Sequence, residues 1–279
     1  MTPDQTDHLG PLRGAAAPRP VPLYDVPRLS TRCLPVVQRN LLVWRKLAVP
    51  SLIGNIAEPL IILVAFGYGL GALVGRVGDL PYILFLASGS ICMSTMYAAS
   101  FEAMYSAFSR MHVQKTWEGI LNAPVALDDI VFAEMLWAGL KALFSAVAIA
   151  LVLVALDISR QPTLAVALPV LFLTGITFSS IALVFNALAK GYDFFTYYFT
   201  LVLTPMTFLS GVYFPTEHMP AWLQAIGSVL PLTAAVELVR PLVIGEWPAL
   251  WLRPLAVLLA YAAGGYWVAL VLTRRRFFR

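Results

Sequence analysis

Six stretches of this chain are too apolar and too long to leave much choice of fold in water: about 52–74, 81–106, 131–156, 164–188, 194–213 and 250–273. Crossing roughly 30 Å of hydrocarbon takes about 20 helical residues. Inside a bilayer each backbone N–H and C=O must find its partner within the segment, so the runs read as helices. Hydrophobic residues make up 59% of the 279 and charged residues only 12%, with a mean hydropathy of +0.78. That apolar share exceeds what a soluble interior absorbs, so the excess faces lipid. The expected fold class is all-α and integral to the membrane, with six transmembrane helices.

Two segments outside these runs are of another kind. Residues 1–29 carry six prolines and no apolar run. They read as a disordered cytoplasmic tail, without the apolar stretch of a cleavable signal, ahead of a membrane domain over 30–279. Residues 215–248 are apolar, but Pro231 cuts them into pieces too short to cross. An outer re-entrant or interfacial helix pair over 216–243 is expected there. Orientation follows from Lys and Arg. With the N-terminus inside, only Arg76, Arg160, Arg240 and Arg253 fall in outer segments, Lys141 lies within a span, and the rest of the nineteen are inside. Both termini are then cytoplasmic. The net charge of +4 is a topology signal and gives no reason to expect nucleic acid.

Two short polar segments have helical faces. In 34–48, LPVVQRNLLVWRKLA, Val37, Leu41, Trp44 and Ala48 share a side, with Gln38, Arg39, Arg45 and Lys46 opposite. Such an amphipathic helix belongs in the inner headgroup layer, as an anchor, as a contact surface for a partner, or as both. In 109–121, Val113, Trp117, Ile120 and Leu121 follow at i, i+4, i+7 and i+8, while Arg110, Gln114, Lys115 and Glu118 take other sides. Pro124 ends this helix, and Asp128 or Asp129 is placed to cap the third span. A helix lying across the cytoplasmic mouth is either a plain surface anchor or the lever that a transporter without its own motor needs.

Charges inside spans are costly and mark candidates for function. Glu58, Glu102 and Glu134 all fall within roughly 10 Å of the inner face, by helical rise from the span ends. With Lys141 they form a candidate polar layer, serving either as a lock on the bundle or as a gate. Glu134 and Lys141 are on one face but about two turns apart, too far for a direct pair. The outer half of the spans has no matching acids for a proton relay, and no internal repeat supports an ion-coupled carrier.

Other chemistry is thin. No G-x-x-x-x-G-K-[ST], HExxH or G-x-S-x-G occurs, and His8, His112 and His218 are scattered. Cys33 and Cys92 are too few for a metal site or disulfide framework. No catalytic residue, cofactor or metal is therefore assigned to this chain. Gly67, Gly71 and Gly75 are expected at a close helix contact. YDFFTYYF, 192–199, reads as an interfacial aromatic belt, with a sugar-stacking platform as the alternative.

SLIGNIAEPLI (51–61), SFEAMYSAFSRMHVQKTWEGIL (100–121), DDIVFAEMLWAGLKA (128–142), YDFF (192–195), TLVLTPMTFLSGVYFP (200–215) and LTRRRFFR (272–279) resemble the permease subunits of type-2 ABC exporters. The resemblance covers roughly 35–279. It implies a transport subunit rather than an enzyme, working in the bacterial inner membrane as a homodimer with two copies of a separate ABC ATPase. ATP and Mg belong to that partner. The implied cargo is an amphiphilic glycolipid, a lipochitooligosaccharide signal, with another polysaccharide, glycolipid or drug as alternatives. By the same resemblance Val113, Gln114, Lys115, Trp117, Glu118 and Leu121 form a coupling helix against the ATPase. Arg39, Trp44, Arg45 and Lys46 belong to a connecting helix beside it, and Phe214, Pro215, Trp222 and Pro231 to the exit gate.

Overall fold

A computed structural model describes residues 23–278. Chain order is α1 (Cys33–Arg45), α2 (Ala48–Val74), a two-stranded hairpin of β1 (Arg76–Val77) and β2 (Leu80–Pro81), then α3 (Tyr82–Val113). There follow α4 (Thr116–Leu121), α5 (Leu127–Ala155), α6 (Leu164–Leu188) and α7, which spans 193–209. A 3₁₀ turn (Thr216–His218), α8 (Ala221–Gly227), α9 (Pro231–Ile244) and α10 (Leu252–Phe278) complete the chain. The hairpin pairs antiparallel, Arg76 opposite Pro81 and Val77 opposite Leu80.

Five of these helices, α2, α3, α5, α6 and α10, are long and apolar enough to cross a membrane, and the bent pair α8/α9 makes a sixth if counted as one span. The all-α membrane architecture expected from the apolar runs is the architecture observed. Five of the six expected runs give such helices; the fifth, 194–213, gives α7, which is not among them, and the other differences lie at the ends. The fifth run, expected to 213, stops at Leu209 because Gly211 turns the chain at φ +70. The second continues past 106 to Val113, and α8 and α9 meet at 83° where Leu230 and Pro231 break the helix. Residues 1–22 of the expected disordered tail lie outside the described residues. Its end at 23–29 is not loose: backbone groups there bond to Asp128 and Arg274.

α3 is buried over most of its length and α2 over little of it, so α3 is the hub of the bundle. Two close approaches fix its surroundings. A Cβ on Gly89 would stand 2.7 Å from the Val212 carbonyl oxygen, so the turn after α7 lies directly on α3. A Cβ on Gly139 would come within 2.6 Å of Ile176 Cδ1, which lets α5 and α6 cross at close range. The expected close contact through Gly67, Gly71 and Gly75 is only partly of this kind. Gly67 sits against Ile83, whereas Gly75, at φ +68, ends α2.

α1 buries Cys33, Val36 and Asn40, with Val37 and Trp44 at the margin. Leu41, expected on that face, is exposed, because the face turned to the bundle runs i, i+3, i+7 from Cys33. α9 packs almost all round against α3, α6 and α10.

Candidate functional site

The C-terminal part of α3 and the N-terminal half of α5 carry the densest ionic cluster among the described residues. Glu102 (3% exposed) and Glu134 (1%) are buried side by side, and Arg110 lies between them. Its Nε donates to Glu134 Oε1 at 2.9 Å, and its Nη2 donates to Glu134 Oε2 at 2.5 Å and Glu102 Oε1 at 2.9 Å. Lys141 Nζ closes the other side of Glu102 at 2.7 Å. Neutral donors fill most of the remaining lone pairs: Trp137 Nε1 to Glu102 Oε1 at 2.8 Å, Trp117 Nε1 to Glu134 Oε1 at 3.1 Å, and Asn40 Nδ2 to Glu134 Oε2 at 3.4 Å. Two carboxylates facing two cations, with every oxygen bonded, is the condition under which buried charge is tolerated.

The backbone explains the juxtaposition. In a regular helix, eight residues carry Arg110 about 80° past Glu102. α3 instead has wide, π-type turns at Glu102–Ser106 and Ser109–Val113, which rotate less per residue and bring both side chains to one face. Sequence reasoning assigned Arg110 to the inner loop, so the cation at the centre of the cluster was missed. Asn40 and the two indole donors were missed as well. Glu58 does not join: it is exposed on α2 beside a separate small cavity with Asn55 and Tyr97.

The segment after α3 hangs from this cluster. Gln114 N–H still donates back to Ser109 O at 2.8 Å, then Lys115 turns left-handed at φ 51 and α4 begins. Val113 therefore ends α3 rather than joining the face of α4, and it is 65% exposed. Trp117, expected among the residues of a coupling helix against the ATPase, with a surface anchor as the alternative, is 1% exposed; its ring stacks on Phe277 of α10 at 6.1 Å and its N–H reaches Glu134. Gln114, Lys115 and Glu118 are exposed, while Ile120 and Leu121 are half-buried against the bundle. The outcome is a surface corner bolted through one indole to α5 and α10.

α1 lies beside the same cluster. Asn40 joins it to Glu134, and Arg39 Nη1 donates to Asn40 Oδ1 at 3.0 Å. Burial lowers the Arg39 pKa from its ordinary value, with the Arg110 charge acting in the same direction. Trp44 stacks on Phe144 at 5.2 Å and meets Trp137 edge-on at 6.0 Å, whereas Arg45 and Lys46 point to solvent. A cavity of about 450 Å³ opens here, walled by Arg39, Trp44, Tyr105, Lys141 and Tyr192. The 192–199 aromatics are divided: Phe195 and Tyr198 are buried against α3 and α6, while Tyr197 is exposed.

A second buried pair ties the ends of the chain together. Asp128 takes Arg274 Nε at 3.1 Å and Nη2 at 2.5 Å, and also accepts the Arg28 N–H at 2.9 Å. Asp129 accepts the Ser30 N–H at 2.7 Å and its hydroxyl at 2.8 Å. A cap by Asp128 or Asp129 is expected from the sequence, but neither caps α5; Ala126 is the cap residue, and the two carboxylates bond Arg28 and Ser30 of the segment before α1 instead.

At the opposite end of the bundle a cavity of about 1280 Å³ lies between the C-terminal half of α2, the hairpin, α3, the turn after α7 and α9. Phe214 and Pro215 line it. Trp222, 64% exposed on α8, and Pro231, buried at the start of α9, do not. Among the described residues no group of three or more His, Cys, Asp or Glu is placed to hold a metal ion.

Apolar helices long enough to cross a membrane, buried ionic clusters and a large cavity at one end of the bundle describe a multi-pass membrane protein. The chain belongs to the ABC-2 type transporter family, which matches it over residues 32–244, and is a transport subunit rather than an enzyme. It is 42% identical over 254 residues to nodulation protein J of Rhizobium leguminosarum bv. trifolii, covering 91% of this chain and 97% of that one. It is 45% identical to nodulation protein J of Sinorhizobium fredii over 74% of this chain and 79% of the relative. A more distant relative is the inner membrane transport permease YadH of Escherichia coli (strain K12), 26% identical over 72% of this chain and 77% of its own length.

Proposed function

We propose that this chain is the permease of an ATP-driven exporter whose cargo is an amphiphilic glycolipid of the lipochitooligosaccharide kind. Two copies pair in the bacterial inner membrane, each with both termini in the cytoplasm, and each carries one copy of a separate ABC ATPase that binds ATP and Mg. The observation that carries this reading is the attachment of α4. A surface corner bonded through Trp117 to the Glu102–Arg110–Glu134 cluster moves with α3, α5 and α10 as one body, so a push on Gln114, Lys115 or Glu118 reaches the spans. A floppy loop would absorb such a push. The connecting role of α1 is supported by the same cluster, which Asn40 enters while Arg45 and Lys46 stay exposed for contact. Similarity to nodulation protein J over most of the chain supports the cargo class.

ATP binding in the partner changes the spacing of the two α4 corners and tips the permease between inward- and outward-open arrangements, with no covalent step in this chain. The test is reconstitution with the ABC ATPase in proteoliposomes. ATP turnover stimulated by lipochitooligosaccharide, and movement of that lipid across the bilayer, are the expected results. A stable complex whose turnover ignores the lipid removes the cargo assignment, and no complex with any ABC ATPase removes the exporter reading.

A further inference from the structure

The outer cavity holds a charge that the protein leaves incompletely satisfied. Arg240 of α9 is turned inward: Nε donates to Ser88 Oγ at 2.9 Å, Nη2 donates to Gly211 O at 2.6 Å, and the guanidinium carbon lies 3.8 Å from the Phe85 ring centroid. Among the described residues no carboxylate pairs with it and Nη1 makes no hydrogen bond. Partial desolvation without a counter-charge is costly, and Arg240 lines the cavity of about 1280 Å³.

The walls have two characters. Along α2, Ile62, Phe66, Leu70 and Val74 recur every four residues and all line the cavity, a stripe spanning roughly 18 Å at helical rise. Facing it, Tyr82, Phe85, Phe208 and Tyr213 give an aromatic wall, with Phe208 and Tyr213 ring centroids 5.5 Å apart. The polar members are Arg240, Arg76 and His218 against Asp79, Glu217 and Glu246. Three acids in the same lining offset its two arginines, so the cavity carries no net positive charge to favour a plain anion such as a phospholipid phosphate. Donor and acceptor groups of both signs beside aromatic faces suit a neutral, hydroxyl-rich ring, whose oxygens both give and take hydrogen bonds and whose C–H face stacks on aromatics.

We infer that this cavity is the exit-side binding site for the cargo, holding its acyl chain along the α2 stripe and its saccharide head against Arg240 and the aromatic wall. The inference rests on the exporter reading for the identity of the cargo, and adds the place where the molecule pauses before release. Arg240 acts as a specificity residue, its Nη1 donating to a sugar oxygen. The volume exceeds that of common small-ligand pockets, as a head group with part of a chain requires.

The test is photolabelling of the full chain in phosphatidylglycerol-containing nanodiscs with a chitotetraose whose acyl chain bears a diazirine. Labelled peptides are mapped, and unlabelled N-acyl chitotetraose competes. Labels are expected on the α2 stripe and on 208–215, and Arg240→Gln should cut labelling about tenfold, the worth of one charge-assisted hydrogen bond. Since Arg240 also ties α9 to α3, Leu70→Trp provides a second variant that fills the cavity and leaves Arg240 in place; it should cut labelling at least as far. Folding of both is checked by protection of buried Cys92 from maleimide. Labelling that Leu70→Trp leaves unchanged, or that a sugarless photoreactive fatty acid reproduces and displaces, overturns the proposal. ATP-driven export is scored separately, so loss of export with intact labelling counts against the exporter reading and not against the site.

Discussion

Replacing Arg110 by Met tests whether the Glu102–Arg110–Glu134 cluster is a lock. The change removes both contacts to Glu134 and one to Glu102. Glu102 keeps Lys141 at 2.7 Å, whereas Glu134 is left with two neutral donors, Trp117 at 3.1 Å and Asn40 at 3.4 Å. Arg110 is the one cation bonded directly to Glu134 among the described residues, and a buried carboxylate stripped of its cation costs about 3–5 kcal/mol. For a chain of this size that is a fall of roughly 10 °C in unfolding temperature. The assay is thermal unfolding in nanodiscs, followed with a maleimide dye that reports the exposure of Cys33 and Cys92, both buried. The double variant Arg110→Met, Glu134→Gln removes the orphaned charge and keeps an acceptor for the Trp117 indole. It should recover all but about 1 kcal/mol, one net hydrogen bond. A single variant that loses less than about 1 kcal/mol, or a double variant no better than the single, would refute the reasoning.

Three further changes probe other parts of the structure. Gly89→Ala forces a Cβ to 2.7 Å from the Val212 backbone and should destabilise by about 1–3 kcal/mol in the same assay, with no loss meaning that the turn after α7 is free to retreat. Asp128→Asn weakens its hold on Arg274 and the Arg28 N–H, so trypsin should cut after Arg28 about tenfold faster in inside-out vesicles, where the proposed topology exposes that segment; unchanged cutting would mean that the segment is held elsewhere. Burial, with Asp129 adding to it, pushes the Cys33 thiol pKa up, so its thiolate fraction stays low at neutral pH and its alkylation rate should still be rising above pH 9. A plateau below pH 9 would contradict that environment.

Much of the fold was legible because hydrocarbon demands long apolar runs, and five of the six predicted spans correspond to long helices. The depth of Glu102 and Glu134 was legible for the same reason, since rise per residue converts position into depth. Their shared cation was not. Arg110 reaches Glu102 only through wide turns in α3, which no periodicity of 3.6 announces. Val113 and Trp117 fell on one imagined face because Lys115, a residue that rarely adopts a left-handed conformation, breaks the helix between them. Asp128 looked like a cap by position, yet its partner Arg274 lies at the other end of the chain. Arg240 was legible only as an outer charge. Its place under the turn at Gly211, over Phe85, depends on how α9 packs against α3, which hydropathy does not encode.

The role assigned to the α4 corner is tested most directly by cross-linking in the intact complex. A photoreactive amino acid at Gln114 or Glu118, both exposed, is incorporated into the full permease and co-expressed with its ABC ATPase in membranes. Cross-links to the ATPase from both positions, with a yield that changes when ATP is added, and none from Trp222 at the outer end, are the predicted result. A complex that assembles and turns over ATP while neither inner position cross-links would contradict the role of this corner as the point of coupling.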